Sequence, residues 1–188
     1  MPHPAIRNAL PPVQTARRQR GVTLLESLVA VSVTAVTLGT ALPSFQQARE
    51  RRHLEGAAAQ LETDIMYTRS LAVARNQGVR MGFEATPAGT CYIIHTGPAN
   101  ACGCNAAGAA VCDAGAQPLR TVHFPASGMV GLRANVRSIL FDPRLGTSTP
   151  TGTLRVVGRS NAAIHQVVNI MGRVRSCSPT GVNGYPNC

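Results

Sequence analysis

The sequence predicts an α+β fold, with one long N-terminal helix packed on a head of antiparallel β-sheets. Three observations predict it. First, "GVTLLESLVAVSVTAVTLGTALPSF" runs from residue 21 to 45 with Glu26 as its only charge, long enough to cross a bilayer as a helix. Second, Leu54, Ala58, Leu61, Ile65 and Ala72 follow at helical steps with charged residues between them, the pattern of one buried face. Third, beyond Gly78 the period changes to two, in short β-branched or aromatic runs broken by turn residues. The chain divides into a basic segment 1–21, an apolar helix 22–48, an amphipathic half-helix 49–78 and a β-rich head 79–188.

The basic segment carries Arg7, Arg17, Arg18 and Arg20 and no acid, which keeps that end cytoplasmic. An ordinary signal peptide fits poorly, because its apolar stretch is shorter and ends in a small-residue cleavage site. "ARRQRG" suggests a twin-arginine signal only superficially, since the apolar run is too long and holds Glu26. A carboxylate inside a membrane segment is expensive and calls for a partner. A plain anchor gains nothing from it.

"RGVTLLESLVAV" resembles the class III signal of type IV pilins and pseudopilins. The resemblance implies that prepilin peptidase cuts between Gly21 and Val22 and that Val22 becomes the N-methylated N-terminus. Glu26 is then the fifth mature residue, which in that family pairs with the N-terminal amine of a neighbouring subunit during assembly. Pro43 falls at mature position 22, where pilins commonly carry a helix-kinking proline. The implied partners are other major and minor pilins, prepilin peptidase and, before assembly, the inner membrane. The implied precursor spans that membrane once, with its head in the periplasm, before joining a pilus at the cell surface.

Asn76 and Gly78 supply the helix stop. A helix from Val22 to Arg75 would be about 80 Å long, suited to a filament subunit. The runs "VRMGFE", "CYIIH", "LRTVHF", "MVGLR", "VRSILF", "TLRVV" and "AIHQVVNI" predict about seven strands. Residues 142–152 read as a turn and 96–118 as a stapled loop. This order, with "SLAVARNQGVRMGF" at the helix–strand junction and a late "GRVR", resembles the FimT/FimU and GspH branch of minor pilins.

Cys91, Cys102, Cys104, Cys112, Cys177 and Cys188 all lie in the C-terminal half. Their even number in an exported head reads as disulfides. The rival is zinc on Cys102, Cys104 and Cys112, but duplicated C-x2-4-C pairs and spaced histidines are missing. Cys177 and Cys188 form the most plausible pair, and the other four can combine in three ways. No metal or cofactor is expected. His3, His53, His95, His123 and His165 form no metal or nucleophile–base motif, and no phosphate loop or dinucleotide fingerprint occurs. The sequence predicts no enzyme.

The net charge is +10, and all 18 basic residues are Arg. A GC-rich genome accounts for that better than phosphate binding does, so the absence of Lys alone proves nothing. The distribution says more. Residues 49–84 hold six Arg and five acids, whereas 120–188 hold eight Arg against Asp142 alone. A concentrated basic half favours a polyanion, against the alternative of a solvated sheet face.

In "MGRVRSC", residues 171–177, continuing the preceding strand would send Val174 and Ile170 one way and the arginines the other. Arg173 and Arg175 would then stand about 6.6 Å apart, a two-fork site for phosphates. Gly172 allows a bulge or the close approach of another backbone. Gly172, Arg173 and Arg175 also match the GRxR motif of FimT-like minor pilins implicated in DNA uptake. The resemblance implies double-stranded DNA as a partner, and Arg155 and Arg159 are candidate supporting contacts whether the arginines meet DNA or a sister subunit. Lacking Trp, with Tyr185 the one stacking candidate, the head suits duplex phosphates better than unpaired bases. The competing reading is a structural minor pilin or GspH-type pseudopilin that starts or caps a filament, its arginines contacting a sister subunit.

Overall fold

The structure, a computed structural model, describes residues 21–188, and the side chains there except at 40–43. The reading of the leader arginines and His3, and that of the Pro43 ring, fall outside the described residues. Helix α1 covers Leu24–Ala74. Thr23 caps it: the Glu26 N–H donates to Thr23 Oγ1 at 3.3 Å, the Thr-x-x-Glu spacing of a capping box. The chain forms two compact units, Met1–Leu42 and Pro43–Cys188. In the first, Leu24, Leu25, Leu28 and Val29 are exposed, and the helix is long and apolar enough to cross a membrane.

In the second unit Leu54, Ala58, Leu61, Ile65 and Ala72 are fully buried, the face that the helical spacing predicts. The helix closes in a Schellman motif. Gln77 N–H donates to the Ala72 carbonyl at 3.1 Å and Asn76 N–H to that of Val73 at 3.2 Å. Asn76 sits at φ 47°, so Asn76 rather than Gly78 is the left-handed stop.

Eleven strands follow: β1 Val79–Thr86, β2 Gly89–Thr96, β3 Cys102–Cys104, β4 Ala110–Cys112, β5 Gln117–Pro125, β6 Val130–Ala134, β7 Ser138–Phe141, β8 Ser148–Thr149, β9 Gly152–Gly158, β10 Ala163–Val168 and β11 Val174–Cys177. They make an antiparallel sheet β5-β2-β1-β7-β8, a second one β11-β10-β9-β6, and the small hairpin β3-β4. Tyr92, Met81, Phe141, Leu154 and Ile164 join the helix face in one core. Every buried member of that core lies between Leu54 and Val182, so Pro43–Cys188 carries its own core and can fold alone.

The helix is also pinned by charge. Asp64, fully buried, accepts from Tyr92 Oη at 2.7 Å and Gln60 Nε2 at 3.1 Å, and pairs with Arg120 at 2.9 Å. Burial and the Asp64 bond push the Tyr92 hydroxyl far above its usual pKa. Arg120 therefore serves the core, although in the sequence it counts toward the basic half.

The seven predicted runs all contain strands. Besides reading β11 as a continuation of the run before it, the expectation missed three short ones: β8 within the 142–152 turn, and β3 and β4 within the 96–118 loop. Their Gly, Ala, Cys and Thr carry no alternation of apolar and polar residues, the signal on which strand reading depends. Disulfides join Cys91 to Cys104, Cys102 to Cys112 and Cys177 to Cys188. Thus β3 and β4 are stapled to each other and to β2.

Candidate nucleic-acid interface

The sequence "NIMGRVRSC" does not continue strand β10. It folds back on it. Val168 pairs with Val174 and Val167 with Arg175, leaving residues 169–173 as the turn of a hairpin. Gly172 N–H donates to the Asn169 carbonyl at 2.8 Å, and Asn169 N–H to that of Arg173 at 3.0 Å. The Asn169 side chain accepts from Arg173 N–H at 3.0 Å. The expected common face for Val174 and Ile170 is therefore wrong. Asn at the first and Gly at the fourth position of "NIMG" is a turn signal, masked in the sequence by the apolar run that precedes it.

Gly172 is needed twice. Its φ is +68°, and a Cβ there would collide with the Gly146 carbonyl and press on Arg69. The expected close approach of another backbone is real, and its source is the β7–β8 turn. Arg69 Nε donates to that same Gly146 carbonyl at 2.9 Å. Ser148 donates its N–H to the Ile170 carbonyl at 2.9 Å and its hydroxyl to that of Asn169 at 2.6 Å. Helix, β8 and hairpin thus hold the turn in one geometry. Asp142 closes the β7–β8 turn by accepting from Arg144 and Leu145 N–H, and those bonds hold its carboxyl below the usual range.

Arg173 and Arg175 are both exposed but stand in different places. Arg175 is on edge strand β11 and shares the outer face of the sheet with its cross-strand neighbours. The inner face holds Ser176, which donates to Glu62 at 2.8 Å, and Gln166, which reaches the Ala58 carbonyl at 3.1 Å. Arg173, at the end of the turn, helps line an apolar groove with Met66, Ser70, Val73 and Val174. Ile170 and Met171 beside it are 63% and 54% exposed.

Arg155 lies on the same outer face as Arg175. From β9 it pairs with His165 of β10 and on its other side with Arg133 of β6, while His165 also pairs with Cys177. Partial burial, then the Arg155 charge, lowers the His165 pKa below 6.5. Arg159 is not brought to this group. It follows β9 at the opposite end of the sheet from the 169–173 turn and donates to the Ser127 and Gly128 carbonyls. Tyr185 is likewise diverted: it packs half-buried against the core, and burial with Glu55 and Glu62 nearby raises its pKa. It offers no stacking platform on the basic face. The Cys177–Cys188 bond holds the tail against β11, with Ser178 N–H donating to the Pro186 carbonyl at 2.8 Å.

A family model described as type II transport protein GspH matches residues 57–172, from the amphipathic helix to Gly172 of the turn. The chain belongs to the GspH family. A model of the prokaryotic N-terminal methylation motif matches residues 16–42, across Gly21, Val22 and Glu26. This GspH-family chain is thus a minor pilin or pseudopilin whose precursor its apolar helix anchors in the membrane. The competence protein ComGD of Bacillus subtilis (strain 168) is 34% identical over 66 residues, 35% of this chain and 46% of that protein. The chain thus spans less than half the length of that relative. The crystal structure of the type IV minor pilin FimU from Pseudomonas aeruginosa (strain PAO1) gives a TM-score of 0.49 at 19% identity, over 67% of this chain and 89% of that one.

Proposed function

We propose that this GspH-family minor pilin binds extracellular duplex DNA without sequence preference through Arg173 and Arg175, on the hairpin that Gly172 shapes, in support of DNA uptake during transformation. The carrying observation is the braced hairpin, which presents exposed Arg173 at the end of its turn and exposed Arg175 on β11, beside a sheet face bearing two more arginines. A pre-formed turn holds its forks without an ordering cost on binding, and phosphate contacts of this kind need no base readout. The likeness to a protein named for competence supports the same reading.

A mobility shift with random-sequence duplex and the head Pro43–Cys188 tests it. Arg173→Gln with Arg175→Gln should remove most binding while the melting temperature stays within a few degrees. The slope of log K against log salt should fall by about 1.8, the value for two lost phosphate contacts. Unchanged binding refutes the assignment to the turn.

Ile170, Met171 and the groove favour a second reading, in which the turn docks on a sister pilin. Met171→Ser would then stop filament incorporation and leave DNA binding of the free head intact. For the N-terminal half we infer cleavage after Gly21, methylation of Val22 and pairing of Glu26 with a neighbouring amine. Mass spectrometry of the mature chain, finding any first residue but Val22, overturns this.

A further inference from the structure

Outward-facing side chains of the sheet β11-β10-β9-β6 fall into transverse rows, one of which runs Cys177, His165, Arg155, Arg133. Arg133 and Arg155 are direct cross-strand partners and both are exposed. Directly opposed side chains have Cβ atoms about 5 Å apart, and like charges there are destabilising. Among the described residues neither guanidinium is ion-paired. Beyond residue 120 the only acid is Asp142, whose carboxylate is taken up by the β7–β8 turn.

Charge on an edge strand is a common defence against edge-to-edge pairing, and that accounts for Arg133, since β6 is an edge. It does not account for Arg155, because β9 lies between β10 and β6. Nor does it account for placing the two in register. Two planar forks converging from adjacent strands are, however, a fitting receptor for one phosphate, which accepts from both and cancels their repulsion. The approach is open: a Cβ at Gly131, next on this face of β6, would meet nothing within 4 Å.

We propose that the outer face of the four-stranded sheet is a second phosphate-binding surface, in which Arg133 and Arg155 close on one backbone phosphate of duplex DNA. Arg175, two strands and two residues from Arg155, stands about 12 Å away by sheet spacing. It therefore serves a different phosphate, and the duplex lies across the sheet from the hairpin turn toward β6. This rests on the DNA reading of the turn and extends it to a surface that the GRxR motif does not include.

The test is fluorescence anisotropy of a random-sequence duplex with the head Pro43–Cys188, across a salt series. Arg133→Gln with Arg155→Gln should weaken binding and lower the salt slope by about 0.9, one phosphate contact. Without DNA this variant should melt no lower than wild type, because a repulsion has been removed. Arg155→Glu keeps the check independent of folding: it pairs with Arg133, melts at or above wild type, and still binds more weakly. An affinity and slope unchanged in both variants overturn the sheet surface and leave the turn standing. Loss of binding here with full binding by Arg173→Gln/Arg175→Gln supports the sheet and refutes the turn. A wild-type head that binds no duplex at low salt refutes both.

Discussion

Gly172 shows how one residue of a short motif can be structural while its neighbours bind. Its positive φ and its contact with the Gly146 carbonyl leave no room for a side chain. Gly172→Ala should cost about 1–3 kcal/mol, the range for backbone strain of this kind, read by denaturant unfolding. It should also weaken DNA binding although both arginines remain. Binding unaffected in a destabilised variant would show that turn geometry is irrelevant to the contact. Asp64 makes the opposite case, a charged residue spent on the fold. Asp64→Ala strips Tyr92 and Arg120 of their buried acceptor, and should cost about 3 kcal/mol. Tyr92→Phe, which leaves the ion pair, should cost about half as much.

At the scale of elements, legibility followed periodicity. The helix face from Leu54 to Ala72 announces itself because one side of it is buried, and the long strands β1, β2, β5, β9 and β10 do so by their β-branched and aromatic runs between turn residues. The elements that build the candidate site were harder to read. β11 has four residues, with only Val174 and Cys177 apolar, and the turn before it depends on Asn169, Ser148 and Arg69, which are distant in sequence or look ordinary there. The GRxR residues could be picked out, but their separation onto a turn and a strand could not, since register is a tertiary outcome. The pairing of Arg133 with Arg155 was hidden for the same reason. One cap was legible in type though not in residue: Asn76, not Gly78, takes the left-handed position. Asn76→Gly should therefore be neutral to slightly stabilising, while Asn76→Val should cost about 1–2 kcal/mol by equilibrium unfolding, because a β-branched residue resists positive φ.

Across the molecule as a whole, charge is balanced on the amphipathic helix and positive on the sheets, and apart from the Asp64–Arg120 pair the buried titratable groups set the response to pH. His95 is the telling one. It is 1% exposed, its Nδ1 lies 3.1 Å from the Thr96 carbonyl, and Arg80 is its cross-strand partner. Burial, and to a smaller degree the Arg80 charge, lowers its pKa below 6.5, outweighing the Thr96 contact. A histidine depressed in the folded state binds protons more readily when unfolded. Its stabilising share is therefore complete above pH 6.5 and is lost as pH falls toward the folded value. His165, also depressed by burial and Arg155, adds in the same direction but less, because it is partly solvated. Unfolding free energy of the head should thus hold steady above about pH 7 and decline below it, by up to about 1.4 kcal/mol per pH unit for each histidine that titrates. His95→Gln should flatten that decline even if it lowers stability at neutral pH. An equally steep decline in the variant would assign the acid response to other groups and leave His95 a packing residue.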